Sequence, residues 1–110
     1  MNTPNAAVDF IVKNSQDFAK AKAKRVYLDE FRKSKKALLM KDAMRNGIEA
    51  ANAQEREAYS HPEYLELLDG LAAATEIEEE LKWKLEAAKL RIDIWKTETY
   101  NNRMQDKAMA

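Results

Sequence analysis

The side chains with most capacity for chemistry in this 110-residue chain are a carboxylate cluster, a lone imidazole and two sets of basic residues. Glu76, Glu78, Glu79 and Glu80 place four carboxylates within one and a half helical turns, a density that suits a divalent cation. Carboxylate-rich metal sites in helical bundles also draw on Glu-x-x-His pairs, and that spacing is missing here. The cluster therefore reads as a solvated or partner-facing surface. His61 is the sole histidine and stands beside Pro62, which makes it exposed cap sequence rather than a general base. With no cysteine there is no thiol nucleophile, disulfide or thiolate metal site. No Gly-rich phosphate loop, nucleophile elbow or Ser–His–Asp arrangement occurs. The expectation is a protein that is not an enzyme and takes neither metal nor cofactor.

The basic residues point to a different chemistry. Lys20, Lys22, Lys24 and Arg25, then Arg32, Lys33, Lys35 and Lys36, alternate with Phe18, Tyr27 and Phe31; Lys82, Lys84, Lys89 and Arg91 alternate with Trp83, Trp95 and Tyr100. Cations that meet phosphates, next to rings on which bases stack, hold single-stranded nucleic acid without reading sequence. The plainer reading is that lysines on Ala-rich helices form solvated faces and that aromatics at helical spacing are core, which is the preferred reading for Phe31 and Trp95. Zero net charge conceals a strong partition along the chain: residues 13–45 carry eleven basic and four acidic side chains, residues 46–80 one and ten, and residues 81–110 seven and four.

The elements that must position these residues are helices. Two Gly, two Pro and 35% charged residues, with Ala, Glu, Lys and Leu abundant, is the composition of long helices or coiled coils. So small a single domain buries a modest share of its surface alone, and help from a partner subunit is expected. The opening Met1-Asn2-Thr3-Pro4-Asn5-Ala6-Ala7-Val8-Asp9-Phe10-Ile11-Val12 lacks a basic n-region and a long apolar run, so a soluble cytoplasmic chain is expected. Thr3-Pro4 reads as an N-cap and first-turn proline. Asn14-Ser15 allows either a break, with Ser15 capping a second helix from Gln16, or a continuous run. Asn46-Gly47 reads as tolerated within the helix, at a cost of about 1 kcal/mol relative to Ala. Ser60 and Glu63 form a capping box around Pro62, with Tyr59 and Tyr64 as its hydrophobic staple. The expected architecture is all-α over residues 1–110: an N-terminal helix over about 4–14, a basic helix over about 16–58 and a heptad helix over 61–108. The two long helices fold back as an antiparallel hairpin.

In the last helix a 3,4 spacing runs through Tyr64, Leu67, Leu71, Ala74, Glu78, Leu81, Leu85, Ala88, Ile92, Trp95, Thr99 and Asn102, of which nine are apolar. Trp83, Ala87, Leu90 and Ile94 fall on the opposite f and c positions, a side that a two-helix hairpin keeps polar. This second face asks for another copy of the protein, so Leu81, Trp83, Leu85, Leu90, Ile92, Ile94 and Trp95 are the candidate assembly residues, in a homo-oligomer with coiled-coil-like packing. The first long helix is less regular, with Tyr27, Phe31 and Leu38 on one line and Ala37, Met40, Met44 and Ala51 on another, and its register is not set by the pattern. A reversal near Tyr59-Ser60 sets residues 76–80 beside the Lys41 region and gathers the two basic segments into one pole, which attracts polyanions by counterion release.

A basic helix around Arg32-Lys33-Ser34-Lys35-Lys36, followed by a long helix with Leu81-Lys82-Trp83-Lys84 and Arg91-Ile92-Asp93-Ile94-Trp95-Lys96, resembles the layout of the small recombination mediator proteins of tailed phages, the UvsY type, over residues 25–105. The resemblance implies a single-stranded-DNA-binding oligomer in the host cell cytoplasm that helps load a RecA-like recombinase onto DNA coated by single-strand-binding protein. The alternative is a coiled-coil structural, adaptor or anti-defence protein that binds only other proteins. A recognition-helix regulator of double-stranded DNA is a weaker third reading, since no short helix-turn-helix spacing is present.

Overall fold

The computed structural model describes residues 3–109, and among them the chain is all helix and connection: α1 (Pro4–Arg45), α2 (Ala51–Ser60) and α3 (Pro62–Met109). Contacts divide it into two compact units, Lys20–Glu78 and Met1–Ala19 with Glu79–Ala110. No helix among the described residues is long and apolar enough to cross a membrane.

α1 starts where the sequence indicates. Thr3 Oγ1 accepts the Ala6 N–H at 3.1 Å, which satisfies one of the donors a helix leaves open at its first turn. The break at Asn14-Ser15 does not form. The Asn14 amide donates to the Phe10 carbonyl at 2.8 Å and the Ser15 hydroxyl to the Val12 carbonyl at 3.2 Å. Both polar side chains thus bond back onto the preceding turn and leave the backbone ladder intact.

The expected helix over 16–58 is instead two helices, and Gly47 is the cause. Its φ of +96° lies in the left-handed region that Gly alone enters without steric cost. Gly47 N–H donates to Met44 O at 3.1 Å and Ile48 N–H to Ala43 O at 3.0 Å, the paired bonds of a Schellman stop. Gln54 then turns back from α2, its amide donating to the Ile48 and Glu49 carbonyls at 2.8 and 3.2 Å. These bonds tie down the five-residue connection between α1 and α2.

The boundary before α3 stands within a residue of its expected place, but its cap is different. Ser60 closes α2, with its hydroxyl bonded to the Arg56 and Glu57 carbonyls. His61 is the one extended residue between the helices, and its Nδ1 accepts the Glu63 N–H at 3.1 Å. An imidazole therefore does what the serine was expected to do. The Tyr59–Tyr64 staple does form, edge-on with centroids 5.3 Å apart. It covers the small core of the Lys20–Glu78 unit, where Leu39, Ala58 and Tyr64 are buried and Met40 and Leu68 pack on them. In this unit α1 and α3 are antiparallel arms joined through α2, which gives the expected helical hairpin an additional short helix at its turn.

The α3 seam behaves as its spacing indicates. Tyr64, Ala74, Glu78, Leu85 and Ala88 are buried, and Leu67, Leu71, Leu81 and Ile92 are half-buried. The opposing line on α1 is Ala7, Ile11, Asn14 and Phe18 in one unit and Ala21, Arg25, Leu28, Arg32, Lys35 and Leu39 in the other, all buried or half-buried. It keeps a strict alternation of four and three residues. Tyr27, Leu38 and Met44, taken from the sequence as inward lines, are 63%, 53% and 54% exposed.

Gly47→Ala is expected to cost about 1 kcal/mol, because a Cβ at positive φ is strained even though nothing lies within 4 Å of its place. A urea midpoint unchanged from wild type would contradict the helix-stop role.

Candidate interaction surfaces

One charged contact organises the Lys20–Glu78 unit. Arg25 and Glu78 are both seam positions, and they meet as a two-pronged pair: Nε to Oε2 at 2.6 Å and Nη2 to Oε1 at 3.0 Å. The Glu78 side chain is 9% exposed and that of Arg25 31%. A buried carboxylate is held charged only by a partner that returns its lost hydration, and the planar guanidinium fork does so with two bonds. This corrects two expectations. Glu78 is not part of a solvated carboxylate surface, and it does not lie beside Lys41, because its pairing with Arg25 centres the reversal at the start of α2 near Ala51 rather than at Tyr59-Ser60, where α2 ends. Lys35 to Glu63 at 3.1 Å and Lys36 to Glu55 at 3.5 Å follow the same register.

The basic candidates are divided between the two units. Lys20, Lys22, Lys24, Arg25, Arg32, Lys33, Lys35 and Lys36 belong to one unit, and Lys82, Lys84, Lys89 and Arg91 to the other. The Lys20–Glu78 unit holds eleven basic and eleven acidic residues, and the other holds eight of each. Neither is a basic pole. Most of these cations also carry a carboxylate: besides the pairs already given, Arg32 meets Asp29 at 3.1 Å, Lys33 meets Glu30 at 3.2 Å, Lys84 meets Glu80 at 3.0 Å and Lys89 meets Glu86 at 3.3 Å. Lys36 also lies over the Tyr59 ring, 4.7 Å from its centroid; the Tyr59 side chain first, and then the charge of Glu55, raise its pKa above the ordinary lysine value. Lys82 sits over Trp83 at 5.5 Å. Among the described residues no group of three or more His, Cys, Asp or Glu is placed to hold a metal ion.

Among the described residues a hollow of about 280 Å³ is lined by Arg32, Lys33 and Lys36 with Tyr59 and Tyr64, and two further concave surfaces are more apolar. In the Lys20–Glu78 unit a groove of about 540 Å³ runs between α1 and α3, walled by Tyr27 and Phe31, stacked at 5.8 Å, and floored by Leu67, Gly70 and Ala74. In the other unit a smaller hollow of about 250 Å³ lies between Ile11 and Phe18 on α1 and Leu85 on α3, with Lys82 and Lys89 at its edge.

The proposed assembly residues divide into two sets. Leu85 is buried and Leu81 and Ile92 are half-buried, all three in the seam that faces α1. Trp83, Leu90 and Ile94, on the opposite face, are instead 63%, 59% and 56% exposed; Trp95, a seam position expected to be core, is 46% exposed, which corrects that expectation. Among the described residues that second face is left open, and it continues to Met104, which is 47% exposed. From residue 100 to 109 α3 is exposed on every side.

The sequence reading missed the inward line of α1 because four of its positions, Asn14, Arg25, Arg32 and Lys35, are polar. The signal was the spacing, which persists through them. No protein-family model, curated protein sequence or solved structure matches the chain.

Removing one partner of the Arg25–Glu78 pair, as in Glu78→Leu or Arg25→Leu, is expected to cost about 2 kcal/mol, less than the ~3–5 kcal/mol of a fully buried pair because Arg25 is partly solvated. Arg25→Leu with Glu78→Leu together is expected to lie within about 1 kcal/mol of wild type, since two apolar side chains fit a heptad seam. Additive losses in urea unfolding would show that the two side chains do not act as a pair.

Proposed function

We propose that this chain is a helical assembly protein that works by binding protein, its own copies first, through the outer face of α3 in the unit Met1–Ala19 with Glu79–Ala110. The observation that carries the reading is the row Trp83, Leu90 and Ile94, each more than half exposed on a helix whose opposite face is already filled by α1. Large apolar side chains scattered singly are ordinary surface, whereas a row at heptad spacing is a packing face. Burying a Leu, Ile or Trp side chain from water contributes about 1.5–3 kcal/mol each, so a few of them drive association of a small protein.

The nucleic-acid reading has less support. It relied on a basic pole with the aromatics beside it, whereas each unit is charge-balanced and seven of the twelve candidate cations meet a carboxylate. A polyanion would have to displace those carboxylates to release counterions. The resemblance to recombination mediators rests on helix order and residue character. The apolar face, in contrast, has no competing partner among the described residues.

Sedimentation equilibrium should give a mass above the 12.7 kDa of one chain, and Leu90→Asp or Ile94→Asp should return it to one chain with helicity unchanged. A wild-type protein that stays a single chain at high micromolar concentration would contradict the reading. Salt-sensitive binding of oligo-dT, lost on reversing Lys82, Lys84, Lys89 and Arg91, would decide for nucleic acid instead.

A further inference from the structure

The outer face of α3 has more order than a patch. From Trp83 the spacing runs four, three, four, three through Ala87, Leu90, Ile94, Thr97, Asn101, Met104 and Ala108, all exposed. It is a second full heptad seam on a helix that already carries one. Upstream the same line passes through Glu80 and Glu76, so the seam opens at Trp83 and lies wholly within the unit Met1–Ala19 with Glu79–Ala110. Its length of 26 residues corresponds to about 39 Å of helix.

We propose that this seam pairs with the same seam of a second copy as a parallel, in-register, two-stranded coiled coil. The proposal rests on the assembly reading above and adds the occupant, its orientation and its register.

Two features of the seam select this arrangement. In heptad terms Ala87, Ile94, Asn101 and Ala108 are a positions, and Trp83, Leu90, Thr97 and Met104 are d positions. A β-branched residue at a followed by the packing of Leu at d favours two parallel strands, and Ile94 with Leu90 is that combination. Asn101 is a polar residue at an a position. In a parallel in-register pair the two Asn101 amides meet and satisfy each other, a contact that fixes register and strand number at some cost in stability. In an antiparallel pair with Ile94 facing Leu90, each Asn101 is set against Trp83 instead.

The flanking charges permit it. In the parallel register Glu79 faces Lys84 of the second copy and Glu86 faces Arg91 of the second copy, each contact occurring twice. Asp93 opposite Glu98 is the one like-charged pair. The antiparallel register sets Arg91 against Arg91 and Asp93 against Asp93 once each, but Lys84 against Glu98 and Glu79 against Lys107 twice each, so the charges fit a second copy in either orientation and Asn101 makes the choice. Lys84 pairs at present with Glu80, Glu86 with Lys89, and Glu79 with the Trp83 indole at 3.2 Å, each within one turn of the same helix. Such solvated contacts one turn apart exchange readily for contacts across an interface.

The absence of cysteine makes the test direct. Ala87→Cys and Thr97→Cys variants are oxidised separately and as a mixture. A parallel in-register pair joins each variant to itself, and the mixture adds few mixed dimers. An antiparallel pair leaves each variant alone largely unlinked and yields mixed dimers, which would overturn the proposal and leave the assembly reading standing. A single-chain mass under every condition would overturn both. As a second readout, Glu86→Arg should weaken association at least several-fold, and adding Arg91→Glu should restore it. Failure of the second change to restore it would remove the Glu86–Arg91 contact, and with it the parallel register.

Discussion

Two lines of side chains spaced alternately three and four residues apart have to meet in one register, and the pair of Arg25 and Glu78 narrows that choice. Apolar seam residues are nearly interchangeable: moving α3 by a heptad along α1 would exchange one Leu or Ala for another. Moving it by one heptad would set Glu78 beside Arg32, which already meets Asp29, and any other shift would leave the carboxylate buried without a guanidinium, which costs far more than a suboptimal apolar contact. The pair adds little net stability over two apolar residues and contributes the choice between alternatives. The placement of Lys35 by Glu63 and of Lys36 by Glu55 follows from it, as does the position of α2 as the reversal.

How much of this the sequence disclosed depends on whether a feature is periodic or local. The α3 seam was readable residue by residue because its apolar content is high, and the outer face followed by subtraction. The α1 seam has the same period, but Asn14, Arg25, Arg32 and Lys35 occupy it, so the apolar residues alone offered two lines and no register, and Tyr27 and Leu38 from one of them face outward. The register failed for a local reason. A glycine inside a helical pattern costs about the same whether it is tolerated or used as a stop, and only the positive φ of Gly47 and its paired backbone bonds distinguish the two. With the stop unread, the reversal was centred about ten residues too late, and every inference about which charges are neighbours shifted with it.

That shift changes the function the residues support. Counted along the chain, the charges fall into basic and acidic blocks; counted within each folded unit, they cancel. The lysines that suggested a polyanion site are mostly the matching halves of helix-surface ion pairs. The apolar residues moved in the other direction. Trp83, Leu90 and Ile94 remain exposed after the chain has made all the contacts it makes with itself, and the last turns of α3 have no neighbour on any side.

A helix end in that condition frays in water, because its stability depends on tertiary packing more than on propensity. Amide hydrogen exchange along α3, measured over a range of protein concentrations, therefore separates the two faces. Amides over residues 64–81 should be protected to the same degree throughout, while protection over residues 90–109 should rise with concentration as a second copy covers the outer seam. Protection that is independent of concentration over residues 90–109 would contradict the account.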